Sequence, residues 1–72
     1  MTRAEMIKFI EAIPEEFIGA YLIGIKREDA VIQVRYASEI AKKYFEGARI
    51  SPSGFVEFPL EIAGITTEIV LT

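Results

Sequence analysis

The chain of 72 residues contains no cysteine, no histidine, no tryptophan and no asparagine. Without Cys or His, the common zinc, iron–sulfur, haem and thiol chemistries lose their usual ligands or nucleophile, and no cofactor is expected. Without Cys there is also no disulfide, and nothing argues for an oxidising compartment. A chain this short buries a smaller share of its unfolded surface than a large domain does, and small scaffolds usually add a staple. With disulfides and the common metal sites gone, a partner subunit is the staple that remains.

Other residue types are scarce. One Asp, one Gln and three Leu stand against ten Glu and twelve Ile. Few thermolabile amides beside plentiful Glu and Lys is the pattern reported for hyperthermophile proteins, so a thermophilic protein is expected. Long hydrophobic runs are absent too: the longest, FIGAYLIGI over residues 17–25, is about half the ~20 residues a spanning helix needs. Met1 to Ile13 is interrupted by Arg3, Glu5, Lys8 and Glu11, unlike a secretory hydrophobic region. A cytoplasmic location with no membrane partner is therefore expected. No Gly-Lys-Ser or Gly-Lys-Thr triplet marks a phosphate loop, and Ser38, Ser51 and Ser53 have no His to activate them. The expectation is a protein that is not an enzyme.

What is present reads as short amphipathic elements. Thr2 followed by Glu5 has the spacing of a capping box, which predicts a helix start. Met6, Ile7, Phe9, Ile10 and Ile13 then share one arc of that helix, and Pro14 ends it. From Phe17 the run favours a strand through its β-branched and aromatic members, and the charged Lys26 to Asp29 interrupts it. Ala30 to Tyr36 alternates, which completes a hairpin. Its loop is Glu28-Asp29 or Arg27 to Ala30, and both place Tyr21, Ile23 and Ile25 on one face with Ile32, Val34 and Tyr36.

Ser38 is a candidate N-cap for a second helix that ends at Gly47, with Ile40, Ala41, Tyr44 and Phe45 as its apolar stripe. Ser51-Pro52-Ser53-Gly54 is turn chemistry that can close a brief strand at Ala48 to Ile50 onto Phe55 to Ile62. Ala63-Gly64 is the next turn, before Ile65 to Thr72. If it turns tightly, Ile62 opposes Ile65 and Pro59 opposes Glu68. That puts Glu57, Glu61 and Glu68 on one face and Val56, Phe58, Leu60, Ile65, Ile69 and Leu71 on the other.

The expected fold is one α+β domain over residues 1–72: two layers, two helices packed on a four- to five-stranded, mainly antiparallel sheet, in the order α-β-β-α-β-β. Both helices on one face leave the other open. On that face the first hairpin would present Ile18, Ala20, Leu22, Gly24 and Val31, edged by Lys26, Gln33 and Arg35. An apolar patch with a polar rim is what an interface looks like, so the leading functional expectation is an interaction module acting as a homo-oligomer, most simply a dimer. An unidentified protein partner is the other occupant such a patch admits.

Two further groupings carry charge. Residues 26–49 hold six basic and four acidic side chains, whereas residues 50–72 hold three acids and no base. Arg35, Lys42, Lys43 and Arg49 are candidate phosphate contacts, which makes a nucleic-acid-binding domain the second reading. The net charge of −3 and the acids Glu39 and Glu46 on the same helix oppose it. The Glu57, Glu61 and Glu68 cluster has the chemistry for a hard cation, but polar residues on the outer side of an alternating strand explain it equally, and no metal is expected.

Overall fold

The computed structural model describes residues 2–17, 19–25 and 29–72, with Tyr21, Leu22, Ile23 and Ile25 described by their backbone only. The elements are α1 (Arg3–Glu11), β1 (Tyr21–Ile25), β2 (Asp29–Val34), α2 (Ser38–Lys43), a 3₁₀ turn (Phe45–Gly47), β3 (Arg49–Ile50), β4 (Val56–Ile62) and β5 (Ile65–Leu71). The five strands form one sheet in the order β1-β2-β5-β4-β3. The expected α+β class holds. The sheet is mixed, however: β2 and β5 lie side by side in parallel at its centre, while the other three pairings are antiparallel. Each hairpin is closed locally, and the parallel pair arises where the two hairpins meet.

The capping box forms as expected. Thr2 Oγ1 accepts from the Glu5 N–H at 3.2 Å and Glu5 Oε1 accepts from the Thr2 N–H at 2.9 Å. These bonds hold the Glu5 carboxyl below the usual carboxylate range, the Thr2 backbone donor being the larger cause. Of the arc on α1, Phe9 alone is fully buried, while Ile7 and Ile10 are about half exposed.

The strand expected from Phe17 starts only at Tyr21. Phe17 precedes it, with its N–H donating to the Pro14 carbonyl at 3.0 Å and its ring in the core. There Phe17 meets Tyr44 edge-on at 5.9 Å and Phe58 at 6.3 Å, and Tyr44 stacks on Phe58 at 4.4 Å. This aromatic trio joins the loop after α1, the end of α2 and the centre of β4.

Ser38 is not the N-cap of α2. Ala37 occupies that position without a side-chain hydrogen bond, and Ser38 is the first helical residue. The helix also stops at Lys43 rather than at Gly47, because the chain tightens into the 3₁₀ turn. The step per residue changes from 100° to 120° there, so Phe45 leaves the stripe of Ile40, Ala41 and Tyr44 and stands 76 % exposed.

The second hairpin has the expected register, seven successive pairs from Val56 opposite Leu71 to Ile62 opposite Ile65. Ala63 (φ 50°) and Gly64 (φ 78°) both take left-handed backbone, the twist that a two-residue hairpin turn requires. Rows of side chains on the core face follow across the sheet, Ala30–Thr67–Leu60, Ile32–Ile69–Phe58 and Val34–Leu71–Val56–Ile50, buried at the centre and more open toward β3. Phe9 of α1 and Ile40 of α2 share this core, so both helices serve the same face. β3 ends after two residues for a local reason. Extending it would set Ala48 and Gly47 opposite Phe58 and Pro59, and Pro59 has no N–H to offer.

The first hairpin departs from its expected register. Ile25 pairs with Ala30 and Gly24 with Val31, and a bulge between Leu22 and Gly24 then sets Leu22 opposite Ile32 and Tyr21 opposite Gln33. The expected pairing placed Ile25 opposite Ile32. The loop residues Lys26, Arg27 and Glu28 lie outside the described residues. Tyr36, expected in the core, is exposed; it lies two residues past the end of β2, and its N–H donates to the Thr72 carbonyl at 2.9 Å.

Candidate functional site

The uncovered sheet face is the first candidate. Register places Val31 beside Glu68, and Gln33 beside Val70 and then Glu57 and Arg49. Val31, Gln33, Val70, Glu57 and Glu68 are half-buried by their neighbours in the sheet, while Pro59, Glu61 and Thr66 are exposed. No described helix lies on this side, since the buried helical residues all belong to the opposite core.

The residues expected to form an interface are not all brought together. Gly24 stands opposite Val31 with nothing within 4 Å of where a Cβ would be. Val31 and Gln33 are on the uncovered face. Arg35 follows β2, with its Cβ 3.6 Å from the position a Cβ on Gly19 would take. Ala20 instead packs against the core. Ile18, Lys26 and the side chain of Leu22 lie outside the described residues.

Arg49 organises the acidic half of the same face. Its Nε donates to Glu57 Oε1 at 2.8 Å and its terminal nitrogen to Glu68 Oε1 at 2.6 Å. Two of the three carboxylates picked out from the sequence thus converge, but on a guanidinium. Glu61 stands apart, opposite Thr66. Among the described residues no group of three or more acids is arranged to hold a metal ion. The bridge to Glu57 was not legible: closing Ser51-Pro52-Ser53-Gly54 symmetrically sets Arg49 opposite Val56, whereas the observed closure of Ser51 on Phe55 shifts the register by one and sets Arg49 opposite Glu57. The bridge to Glu68 needs the adjoining register as well.

The four expected phosphate contacts are divided. Lys43 Nζ pairs with Glu16 at 2.8 Å and lies 5.5 Å from the Tyr44 ring centre. The Lys43 bond holds the Glu16 carboxyl below its usual range, and the same bond raises Lys43. Arg49 is held by Glu57 and Glu68. Lys42 and Arg35 are exposed and form no ion pair among the described residues.

A feature missed by sequence reasoning lies at the β3 edge. The third core row ends on Ile50, which is 66 % exposed, and Phe45 stands beyond α2. Together with Ala41, Ala48, Arg49 and Val56 they line a shallow apolar groove of about 240 Å³. Its signal in the sequence was Gly47 and the turn that follows, which shorten the helix and release Phe45.

No helix among the described residues is long and apolar enough to cross a membrane. No protein-family model, no curated protein and no solved structure matches the chain.

Proposed function

We propose that the protein is a non-enzymatic interaction module that works by self-association, with the uncovered face of the first hairpin as a contact between copies. One observation carries this reading: both helices serve one side of the sheet, and the other side has Val31, Gln33 and Val70 half-buried with no layer over them among the described residues. Apolar side chains in such a position gain from cover, and a second copy supplies it. The electrostatics favour the β1–β2 half of the face. The β4–β5 half carries Glu57, Glu61 and Glu68 against Arg49 alone, and two such halves would repel.

Val31→Lys tests the contact. The new ammonium falls beside Glu68 in the parallel register, so the fold tolerates it. Association measured by sedimentation is expected to weaken at least about tenfold, as for loss of an interface residue worth more than ~1 kcal/mol, with unchanged circular dichroism. Unchanged association would remove this face from the reading.

Nucleic-acid binding through Arg35, Lys42, Lys43 and Arg49 is the weaker reading, because Lys43 and Arg49 already have carboxylate partners. Submicromolar binding to a labelled oligonucleotide at physiological salt, lost in Lys42→Glu, would reverse that ranking.

A further inference from the structure

The two helices are attached to the sheet unequally. α2 reaches the core through Ile40, and Tyr44 just beyond it stacks on Phe58. α1 is held by less. Of its nine residues Phe9 alone is buried, Met6 is half-buried and the rest are exposed, Ile7 and Ile10 among them at 50 % and 55 %. Its hydrogen bonds are its own: the capping box at Thr2 and Glu5, the helical ladder, and the closing bonds of the Ala12 and Ile13 N–H groups onto Lys8, Phe9 and Ile10. Among the described residues, no hydrogen bond or ion pair ties residues 2–13 to the sheet or to α2.

The attachment changes at residues 14–17. Pro14 has a fixed φ, and its carbonyl accepts the Phe17 N–H at 3.0 Å. Glu16 is bridged to Lys43 at 2.8 Å, and Phe17 is buried against Tyr44 and Phe58. Before this anchor a helix is pinned by one ring, with Ile13 as a partial second contact. After it the chain is laced into the sheet, and β5 is paired on both sides, with β2 and β4.

Withdrawing Phe9 therefore frees α1 without breaking a hydrogen bond to the sheet or to α2. Its nine residues are fewer than the ~12–15 below which isolated helices are marginal in water, so a released α1 also melts. We infer that α1 is a strap that opens as one unit about residues 12–14, taking Phe9 off the core while the sheet, α2 and Phe17 stay folded. The open form bares the Phe9 ring and the strip of core face beneath it, an apolar surface that the closed form hides. That surface is on the helical side of the sheet, so the inference stands apart from the sheet-face contact.

Native-state hydrogen exchange followed by NMR, with urea held below the unfolding transition, tests it. Corrected for intrinsic rates, the α1 amides from Met6 to Ala12 are expected to exchange at least about hundredfold faster than the slowest β5 amides, and with a weaker dependence on urea, because the opening exposes little surface. Equal protection and equal urea slope in α1 and β5 would mean that α1 opens only when the whole domain unfolds, and would overturn the proposal. Phe9→Ala gives a second test. Its α1 amides should exchange as in an unstructured chain, while its β5 amides stay protected and a cooperative urea transition persists. A variant unfolded throughout, or one whose α1 keeps its protection, would contradict the strap.

Discussion

The two hairpins begin from the same sequence device, alternation about a turn, and differ in how far their own chain completes them. The second is closed by Ala63-Gly64 and keeps register over seven pairs. Its inner face takes the Phe17–Tyr44–Phe58 trio, and its outer face is dressed by the Arg49 bridges to Glu57 and Glu68. The first has a bulge and ends in an edge strand, and uncharged Gly24, Val31 and Gln33 stand at the centre of its outer face. The outer face of the second is bridged within the copy, and that of the first is the face we propose as a contact between copies.

The largest way to break that contrast is at Phe58, which is buried at 1 % exposure and touches both other rings of the trio. Phe58→Ala should cost about 3–5 kcal/mol. A chain of this length is expected to have a total stability of roughly 4–11 kcal/mol. Loss of most or all of the cooperative urea transition is expected. A shift worth less than about 1 kcal/mol would mean that the trio is not the centre of the core.

Ala63 offers an opposite effect in the same hairpin. Its left-handed backbone is unfavourable for a side chain with a Cβ, and Asn tolerates it far better. Ala63→Asn should stabilise by roughly 0.5–1 kcal/mol, read as a higher urea midpoint at constant slope. A lower midpoint would show that the turn is not of the kind described.

Arg49→Gln sharpens the comparison on the outer face. It leaves Glu57 and Glu68 near one another without their cation. The guanidinium is well exposed, so the loss should be about 1 kcal/mol or less and should shrink as salt screens the two acids. A salt-independent loss of several kcal/mol would contradict an exposed bridge.

The smallest effect is in pH. Glu5 and Glu16 have lowered folded-state values, so their contribution is present above the ordinary carboxylate range and disappears as pH falls through the lowered values. Lys43 is raised, so its contribution is present below the ordinary lysine range and is lost as pH rises through the raised value. The melting temperature should be level through neutral pH. Glu16→Gln should remove a small part of the fall at both extremes, and a larger fall in the variant would count against the bridge.

The second hairpin was legible because both of its determinants are local. Ala63-Gly64 sets the turn, and a period-two pattern from Val56 to Leu71 admits one register. The capping box of α1 was legible for the same reason. The first hairpin was misread because a bulge is an insertion in pairing, and the alternating template carries no mark for it near Leu22 and Gly24. The central parallel pair of β2 with β5 was missed because nothing local specifies which strands of two separate hairpins meet. The exposed Phe45 was missed because helical spacing was carried through a segment that tightens to 3₁₀ geometry. Thus the inward faces of β4 and β5 were readable, whereas their alignment with β2 into core rows was not, and the groove depended on the one place where the helical period changes.

The central claim is that one copy does not cover all of its own apolar surface, and mass in solution tests it most directly. Sedimentation equilibrium from low to high micromolar concentration is expected to give a weight-average mass that rises above the 8.1 kDa of the chain as concentration increases. A mass that stays at 8.1 kDa across the whole range would contradict it.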